Sequence, residues 1–292
     1  MLEDVCFGPF TFEVSLTLRD SFLISSILTN SEAWLGVSDS EVEKLEQVDE
    51  SLMRRFLEVG QGCPKEMLYL ELGCMPIRFI MMIRRIMFLH YLLNEDKDSL
   101  INRVLLAQEE TPSKNDFIVG VQKDLDHLEI FLGLEDIKRL SKEMLSNFVK
   151  TQAKEQALLF LNAQKLKHSK VLHIKHDELI MQDYLRPQNI RNLKMAKFLF
   201  TARTRMMDIG ANFSNKYGEK SKCKLGCDSL DTQQHLLECK KLTETDLVAT
   251  DDEYEYSDLF SNKVENQLKI AALLESRLQR RKDIERKRKY GK

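Results

Sequence analysis

Three cysteines and one histidine fall within a short stretch of this 292-residue chain, and all four can bind soft metal ions. Cys223 and Cys227 are separated by three residues, and Gly226 permits the tight turn that would bring both thiols together. His235 and Cys239 lie four residues apart, which places them on one face of a helix. The spacing predicts a metal site that joins a turn to a short helix.

The types of these four residues indicate which metal they would hold and what it would do. Three thiolates and one imidazole make the closed tetrahedral set of a structural zinc site, and so soft a set favours zinc over magnesium or calcium. Because no position is left for water, we expect no metal catalysis there. Either Asp231 or Thr232 could cap the helix, and Asp231 has capping-box spacing with Gln234. The alternative interpretation is a chance grouping of buried cysteines and a helix histidine.

Other stretches offer weaker catalytic signals. The sequence ATDD at 249–252 looks like half of a polymerase carboxylate pair, but it lies in an acidic stretch with no strand pattern around it. His168, His173 and His176 lie in a basic amphipathic stretch, where solvated or phosphate-facing histidines are the simpler interpretation. Neither a glycine-rich phosphate loop nor a nucleophile elbow occurs in the sequence. We therefore predict no catalytic residue.

Basic residues lead into the cluster and define a second candidate site. Residues 163–224 carry 14 Lys and Arg against 5 Asp and Glu, an excess of nine positive charges. Such an excess beside a compact Cys/His cluster is typical of nucleic-acid-binding proteins, because Lys and Arg neutralise phosphates and a tyrosine can stack on a base. The predicted contacts are Lys194, Lys197, Arg203, Arg205, Lys216, Tyr217, Lys220, Lys222 and Lys224. The predicted partner is RNA or DNA, bound with weak sequence specificity. The alternative is a helix docked in the core whose charges are simply solvated.

The composition excludes several other classes of protein. Hydrophobic residues make up 43% of the chain and charged residues 31%, which is the balance of a soluble globular protein. The most apolar stretch, residues 76–93, is interrupted by arginines and a histidine, so no membrane span is predicted. The first residues lack the features of a signal peptide. We expect an intracellular protein, nuclear or cytoplasmic, and the basic run at 280–289 resembles a weakly specific nuclear-import signal.

The elements that must position these residues are predicted to be helices. With only 11 Gly and 5 Pro, and with apolar residues recurring at helical spacing, the chain fits a mainly α fold. We expect a multi-helix body, a small zinc-knuckle-like module and a basic C-terminal helix. The predicted helices are 11–32, 38–59, 64–72, 76–93, 98–108, 116–130, 134–162, about 189–209, a short one in the module, and one from Asp258 onward.

Composition divides the chain into five segments. They are a helical body at 1–162, a basic helical region that faces nucleic acid at 163–222, the Cys3His module at 223–242, an acidic flexible link at 243–257, and a C-terminal helix with a basic tail at 258–292.

Four sequence segments, between about Phe12 and Cys239, form an ordered series. They are LRDSFLISSILTNSEAW, PKEMLYLELGCMPIRFIMMIRRIMFLHYLL, ARTRM, and the C-x3-C motif with DTQQHLLEC. Taken together, this series resembles the C-terminal part of reverse transcriptases from non-LTR retrotransposons. The resemblance implies a helical thumb, a connector and a terminal Cys/His motif with Cys223, Cys227, His235 and Cys239 as zinc ligands.

The same resemblance limits the expected activity. In that family the palm domain carries the catalytic carboxylates, and the similar segments all follow the palm, so no polymerase residue is carried over. It implies a general role in holding template RNA or target DNA. We therefore expect a nucleic-acid-binding, zinc-containing remnant of a reverse transcriptase that is not catalytic by itself. The alternatives are a helical protein-interaction scaffold stapled by zinc, an enzyme, and an element fragment without function.

Overall fold

The computed structural model describes residues 11–34, 36–96, 98–114, 116–186, 193–213, 222–243, 255–261 and 263–290. Within these ranges the chain is mainly helical and forms no β-strand, which confirms the predicted fold class. Isolated antiparallel bridges pair Leu72 with Met181 and Lys222 with Leu230.

The N-terminal body is built from α-helices of very different lengths. They are α1 Phe12–Leu18, α2 Ser25–Ile27, α3 Asp39–Leu57, α4 Lys65–Leu72, α5 Ile77–Asn94, α6 Leu100–Glu110, α7 Phe117–His127, α8 Leu134–Arg139 and α9 Lys142–Lys165. A π-helical stretch, Arg19–Ile24, joins α1 to α2.

The C-terminal half alternates α-helices with 3₁₀ turns. The α-helices are α10 Leu193–Arg203, α11 Gln233–Glu238, α12 Lys240–Thr243 and α13 Val264–Tyr290. The 3₁₀ turns of the whole described chain are Ser31–Ala33, Ser169–Val171, Asp183–Leu185, Gly210–Phe213 and Tyr256–Phe260.

Local signals explain several helix boundaries. The Ser38 backbone N–H donates to the Glu41 carboxylate at 2.8 Å, as the capping-box spacing at the start of α3 predicted. Gly73 ends α4 in the left-handed region with φ +67°, and Pro76 precedes the first turn of α5. These boundaries follow the sequence because their determinants lie within one turn of the helix end.

Other boundaries differ from the prediction. The helix expected over 134–162 is two helices, because Ser141 accepts a hydrogen bond from the Met144 N–H at 3.2 Å and starts α9. The expected basic helix at 189–209 is shorter and ends at Arg203; residues 187–192 lie outside the described ranges. The described part of 163–222 otherwise contains the end of α9, 3₁₀ turns and irregular backbone.

Helix α5 lies at the centre of the body, where it packs against α3, α7 and α9. Its apolar residues Phe79, Ile86 and Leu89 are buried. The same core continues into α10, α13 and the Cys/His module, to which Leu225 and Leu236 contribute buried side chains. The module is therefore seated on the body through shared apolar packing.

No helix in the described ranges combines the length and the apolar run that a membrane crossing requires.

Candidate metal centre and basic surface

The four predicted metal ligands converge. One ligand atom from each of Cys223, Cys227, His235 and Cys239 lies within 4.8 Å of all the others. The Sγ atoms of Cys227 and Cys239 are 3.6 Å apart. Two sulfurs bound to one tetrahedral zinc lie about 3.7 Å apart, given a zinc–sulfur distance of about 2.3 Å. The four residues could therefore hold one metal ion without rearrangement of the backbone.

A tight turn brings the first two cysteines together. The Gly226 N–H donates to the Cys223 carbonyl at 2.9 Å, and Gly226 adopts φ +83°, a conformation that L side chains rarely take. The Lys241 ammonium donates to the Leu225 carbonyl at 2.7 Å and holds the turn against α12. Glycine at 226 is thus required by the backbone geometry that aims both thiols inward.

A capped helix presents the histidine. The Thr232 hydroxyl oxygen accepts a hydrogen bond from the His235 backbone N–H at 2.9 Å, so Thr232 is the cap among the two predicted candidates. Within the described residues, the buried Nε2 of His235 has no hydrogen-bond partner. A buried ring nitrogen without a partner is unfavourable unless a metal or another group satisfies it. This arrangement is consistent with a histidine ligand.

The sulfur cluster by itself is electrostatically unfavourable once ionised. Burial, together with the neighbouring sulfurs of Cys227 and Cys223, raises the pKa of the Cys239 thiol to about 11. A bound divalent cation reverses this effect, because thiolates bind it in the deprotonated form. Deprotonation of these thiols is therefore favoured only when a cation is bound to the cluster.

Asp231, the other predicted cap, instead forms hydrogen bonds in the interior of the protein. It is buried, and its carboxylate accepts hydrogen bonds from Arg281 Nη1 at 2.7 Å and from the Gly210 N–H at 2.8 Å. The Gln233 side chain donates to the Ala202 carbonyl at 2.9 Å. These bonds attach the module to α10, to the turn Gly210–Phe213 and to α13.

Arg203 corrects one sequence-based expectation. It was predicted to contact nucleic acid, but its side chain is buried, with Nη2 3.3 Å from a Glu71 carboxylate oxygen and Nη1 donating to the Leu259 carbonyl at 2.9 Å. A guanidinium held by a buried carboxylate does not reach a surface phosphate. In this structure Arg203 is an interior residue that links α10 to α4 and to the turn before α13.

The two predicted lysines on α10 form ion pairs, and the side chain of Lys194 is 80% exposed whereas that of Lys197 is 18% exposed. Lys194 Nζ is 3.1 Å from a Glu275 carboxylate oxygen, and Lys197 Nζ is 2.5 Å from a Glu58 carboxylate oxygen. Surface pairs of this kind contribute little to stability and exchange readily for other anions. Lys194 therefore remains compatible with contact to a phosphate, whereas Lys197 is largely buried.

The predicted lysines beside the cluster are exposed. The side chain of Lys222 is 62% exposed and lies 2.6 Å from the Asp228 carboxylate, and Lys224 is also exposed. Lys216, Tyr217 and Lys220 lie outside the described residues, as does the ATDD sequence. Arg205, which follows α10, is partly buried beside the module.

The three histidines at 168–176 do not form a metal site. His168 pairs with Glu66 at 3.3 Å, and His176 is buried with Nε2 3.2 Å from Glu71. Burial, together with the positive charges of Arg205 and Arg203, lowers the pKa of His173 to about 4, so this ring is neutral at physiological pH. Among the described residues, the Cys/His cluster is the one group with the geometry of a metal site.

A buried polar network around Glu71 was missed by sequence reasoning. The fully buried carboxylate accepts a hydrogen bond from the Tyr184 hydroxyl at 2.6 Å and contacts His176 and Arg203. Burial alone would raise the pKa of Glu71, but Arg203, His176 and Tyr184 outweigh it and lower the pKa to about 2. No local pattern identifies this network, because its members are more than 100 residues from Glu71.

No protein-family model, no curated protein and no solved structure matches this chain. Hypotheses about its family and function accordingly rest on its own residues and geometry.

Proposed function

We propose that Cys223, Cys227, His235 and Cys239 bind one structural zinc ion. The supporting observation is the convergence of four soft ligand atoms within 4.8 Å, on a glycine turn and a capped helix. The set leaves no position for a catalytic water, so the metal holds the turn, α11 and the adjoining lysines in place. Zinc is favoured over harder divalent ions because three of the four ligands are sulfurs.

Metal analysis of the purified, reduced protein tests the zinc assignment. We expect about one zinc per chain by elemental mass spectrometry. Cys227→Ser should lose the metal, whereas Cys63→Ala, which removes a buried cysteine outside the cluster, should retain it. Folded, reduced protein without stoichiometric zinc, or with another metal in its place, would overturn the assignment.

We further propose that the chain binds RNA or DNA without catalysis of its own, as a thumb-and-zinc-module portion of a non-LTR reverse transcriptase. The single observation that carries this proposal is the seating of the Cys/His module beside exposed lysines, including Lys222 and Lys224. A bound metal would fix the turn that carries these lysines. Their ammonium groups would then face solvent at defined positions, where they can neutralise the phosphates of a nucleic acid. The ordered sequence segments described above support the family assignment.

Electrostatic support extends along the C-terminal helix. Arg280 Nη1 donates to the Leu242 carbonyl at 3.1 Å, and the buried Arg281 pairs with Asp231, so α13 is anchored to the module. The last turns of α13, residues 286–290, are exposed and carry four Lys and Arg in sequence. The basic run interpreted as a nuclear-import signal therefore also serves, in this proposal, as part of the phosphate-binding surface.

Oligonucleotide binding tests the nucleic-acid function. Fluorescence anisotropy with a labelled single-stranded oligonucleotide should give micromolar binding that weakens steeply with salt. The double variant Lys222→Gln, Lys224→Gln should bind more weakly, with a slope of log affinity against log salt lower by about 0.7 for each phosphate that is no longer neutralised. Lys150→Gln, Lys154→Gln on α9, two equally exposed lysines, is the matched control. Absence of binding at low salt would refute the function.

A second candidate function is protein docking, which one observation favours. Helix α6 exposes apolar side chains at helical spacing, with Leu100 73%, Ile101 53% and Val104 48% exposed. An exposed apolar stripe of this kind is typical of a protein-contact surface. Partner binding that survives the lysine substitutions but is abolished by Ile101→Glu would favour this function over nucleic-acid binding.

A further inference from the structure

Arg205 occupies a backbone position that normally belongs to glycine. The Met206 N–H donates to the Thr201 carbonyl at 2.8 Å and the Arg205 N–H to the Ala202 carbonyl at 3.1 Å, the two hydrogen bonds of a Schellman motif at the end of α10. The residue after the cap in this motif is left-handed, and here Arg205 has φ +55°. An arginine is strained in this conformation, whereas glycine is not. Glu58 and Glu129 share this left-handed conformation, so what distinguishes Arg205 is the position of its side chain.

The side chain of Arg205 lines a small cavity of about 180 Å³ at the seam between the body and the metal module. The cavity is smaller than the pockets of roughly 300–1,000 Å³ that hold drug-sized ligands, so it suits a small group. Its walls come from the turn Ser169–Val171, the end of α10, the turn Gly210–Phe213, the start of α11 and the turn Tyr256–Phe260. Its lining includes Lys170, Arg205, Asn212, Thr232 and Tyr256.

The described lining of the cavity carries a net positive charge. Lys170 and Arg205 reach it from separate elements, and no Asp or Glu is among its described lining residues. The Lys170 ammonium donates to the Asn212 backbone carbonyl, which fixes it at the wall. The Nε of Arg205 is buried and has no hydrogen-bond partner in the described part of the chain. A buried guanidinium donor left unpaired is unfavourable, and an anion in the cavity would satisfy it.

The positive charge extends to the surroundings of the cavity. The pKa of His173 is lowered to about 4 by burial and by the positive charges of Arg205, Arg203 and Lys165. The aromatic ring of Tyr256 forms one wall and packs at 5.7 Å from that of Phe260. A positive field over a cavity with an aromatic wall is a combination that nucleic-acid-binding proteins use for a phosphate and its neighbouring base.

From these observations we propose that the cavity binds one phosphate group, held by Arg205 and Lys170, and that this phosphate belongs to the backbone of a single-stranded nucleic acid. The inference rests on the proposed nucleic-acid function and adds a defined contact to it. Thr232 lines the cavity and also caps the helix that carries His235. The phosphate would therefore sit beside the metal module, where it contacts the body and the module at once.

Arg205→Gly provides the sharpest test, because the two explanations for Arg205 predict opposite results. If the side chain serves phosphate binding, glycine relieves the left-handed strain, so the melting temperature should rise while oligonucleotide affinity falls. The slope of log affinity against log salt should fall by about 0.7, the value for one phosphate contact on a single strand. If Arg205 is a structural residue, Arg205→Gly should lower the melting temperature. That result would overturn the inference.

Lys170→Gln and a matched control complete the experiment on the full chain. Lys170→Gln should reduce the slope as Arg205→Gly does, and the double variant should lose less affinity than the sum of the two single losses if both residues hold one phosphate. Lys150→Gln on α9, at least about 20 Å along the helix from its C-terminal end, should leave affinity and slope unchanged.

The outcomes separate this inference from the broader function. Wild-type binding that both variants retain with an unchanged slope overturns the cavity inference and leaves the proposed function standing. Absence of wild-type binding to the oligonucleotide refutes the function. In that case, thermal stabilisation of the wild type but not of Arg205→Gly by inorganic phosphate would support the cavity as a site for free phosphate, and no stabilisation would overturn it.

Discussion

Replacement of Glu71 by glutamine is expected to destabilise the fold strongly. The carboxylate is fully buried on α4 and contacts Arg203 at 3.3 Å, His176 at 3.2 Å and the Tyr184 hydroxyl at 2.6 Å. Glu71→Gln keeps the size of the side chain but removes its charge. Arg203 would then remain buried without a compensating negative charge, although it keeps its hydrogen bond to the Leu259 carbonyl.

Two estimates give the loss of unfolding free energy that Glu71→Gln should cause. Removal of one partner from a buried ion pair costs about 3–5 kcal/mol, because the remaining charge is left uncompensated. Independently, the pKa of Glu71 is lowered from 4.5 to about 2. At about 1.4 kcal/mol for each pKa unit, the folded environment stabilises the ionised carboxylate by about 3 kcal/mol. We therefore expect Glu71→Gln to lower the free energy of unfolding at neutral pH by about 3 kcal/mol.

The loss of stability caused by Glu71→Gln should become smaller as the pH falls. The pKa of Glu71 is lower in the folded chain than in the unfolded chain. Its contribution is therefore complete above the unfolded value of 4.5 and is lost as the pH falls from there toward 2. Glutamine does not titrate. The difference in stability between wild type and Glu71→Gln should be largest near neutral pH and should shrink below pH 4.5.

Urea unfolding followed by far-ultraviolet circular dichroism measures this difference at each pH. Glu155→Gln, which removes an exposed carboxylate on α9, is the matched control and should change the free energy of unfolding by less than about 0.5 kcal/mol. The double variant Glu71→Gln, Arg203→Met removes both charges and should recover part of the loss. A loss below about 1 kcal/mol for Glu71→Gln at neutral pH, or a loss that does not change with pH, would refute the reasoning.

Three further predictions concern the backbone, the seam and the metal. A Cβ at Gly73 would lie 2.1 Å from the Met181 backbone nitrogen, whereas one at Gly36, with the same φ of +67°, meets no described atom within 4 Å. Gly36→Ala should therefore cost about 1 kcal/mol and Gly73→Ala at least about 2 kcal/mol more in urea unfolding; equal losses would contradict this. Arg281→Met leaves the buried Asp231 without its cation, so it should cost about 3 kcal/mol, and wild-type stability would argue against the ion pair. Removal of the metal by a chelator should lower the melting temperature reversibly, and an unchanged value in metal-free protein would exclude a structural role.

The four Cys and His residues that could hold a metal were predicted from the sequence because their geometry is local. The turn at Gly226 and the helix at His235 each form within a few residues, so the spacing already places the ligands in pairs. The choice between Asp231 and Thr232 as the cap was not local. It depended on Arg281, 50 residues away, whose guanidinium draws Asp231 into the interior.

The basic surface could be predicted only in part. A count of charges identifies a basic stretch, but it contains no information about which side chains face solvent. Lys222 and Lys224 are exposed as expected, whereas Arg203 is buried against Glu71, 132 residues away in the sequence. Arg205 lies two residues from Arg203 and differs from it because the left-handed backbone at the end of α10 turns the chain toward the module.

The sequence by itself determined the helical class, the start and end of several helices, and the four converging metal ligands. All of these depend on hydrogen bonds and side-chain spacing within one or two turns of the chain. Only the tertiary structure decided which charges are interior ion pairs, which remain at the surface, and where Arg205 and Lys170 meet. Those outcomes depend on the burial of each charge and on its partner, and the partners come from distant parts of the chain.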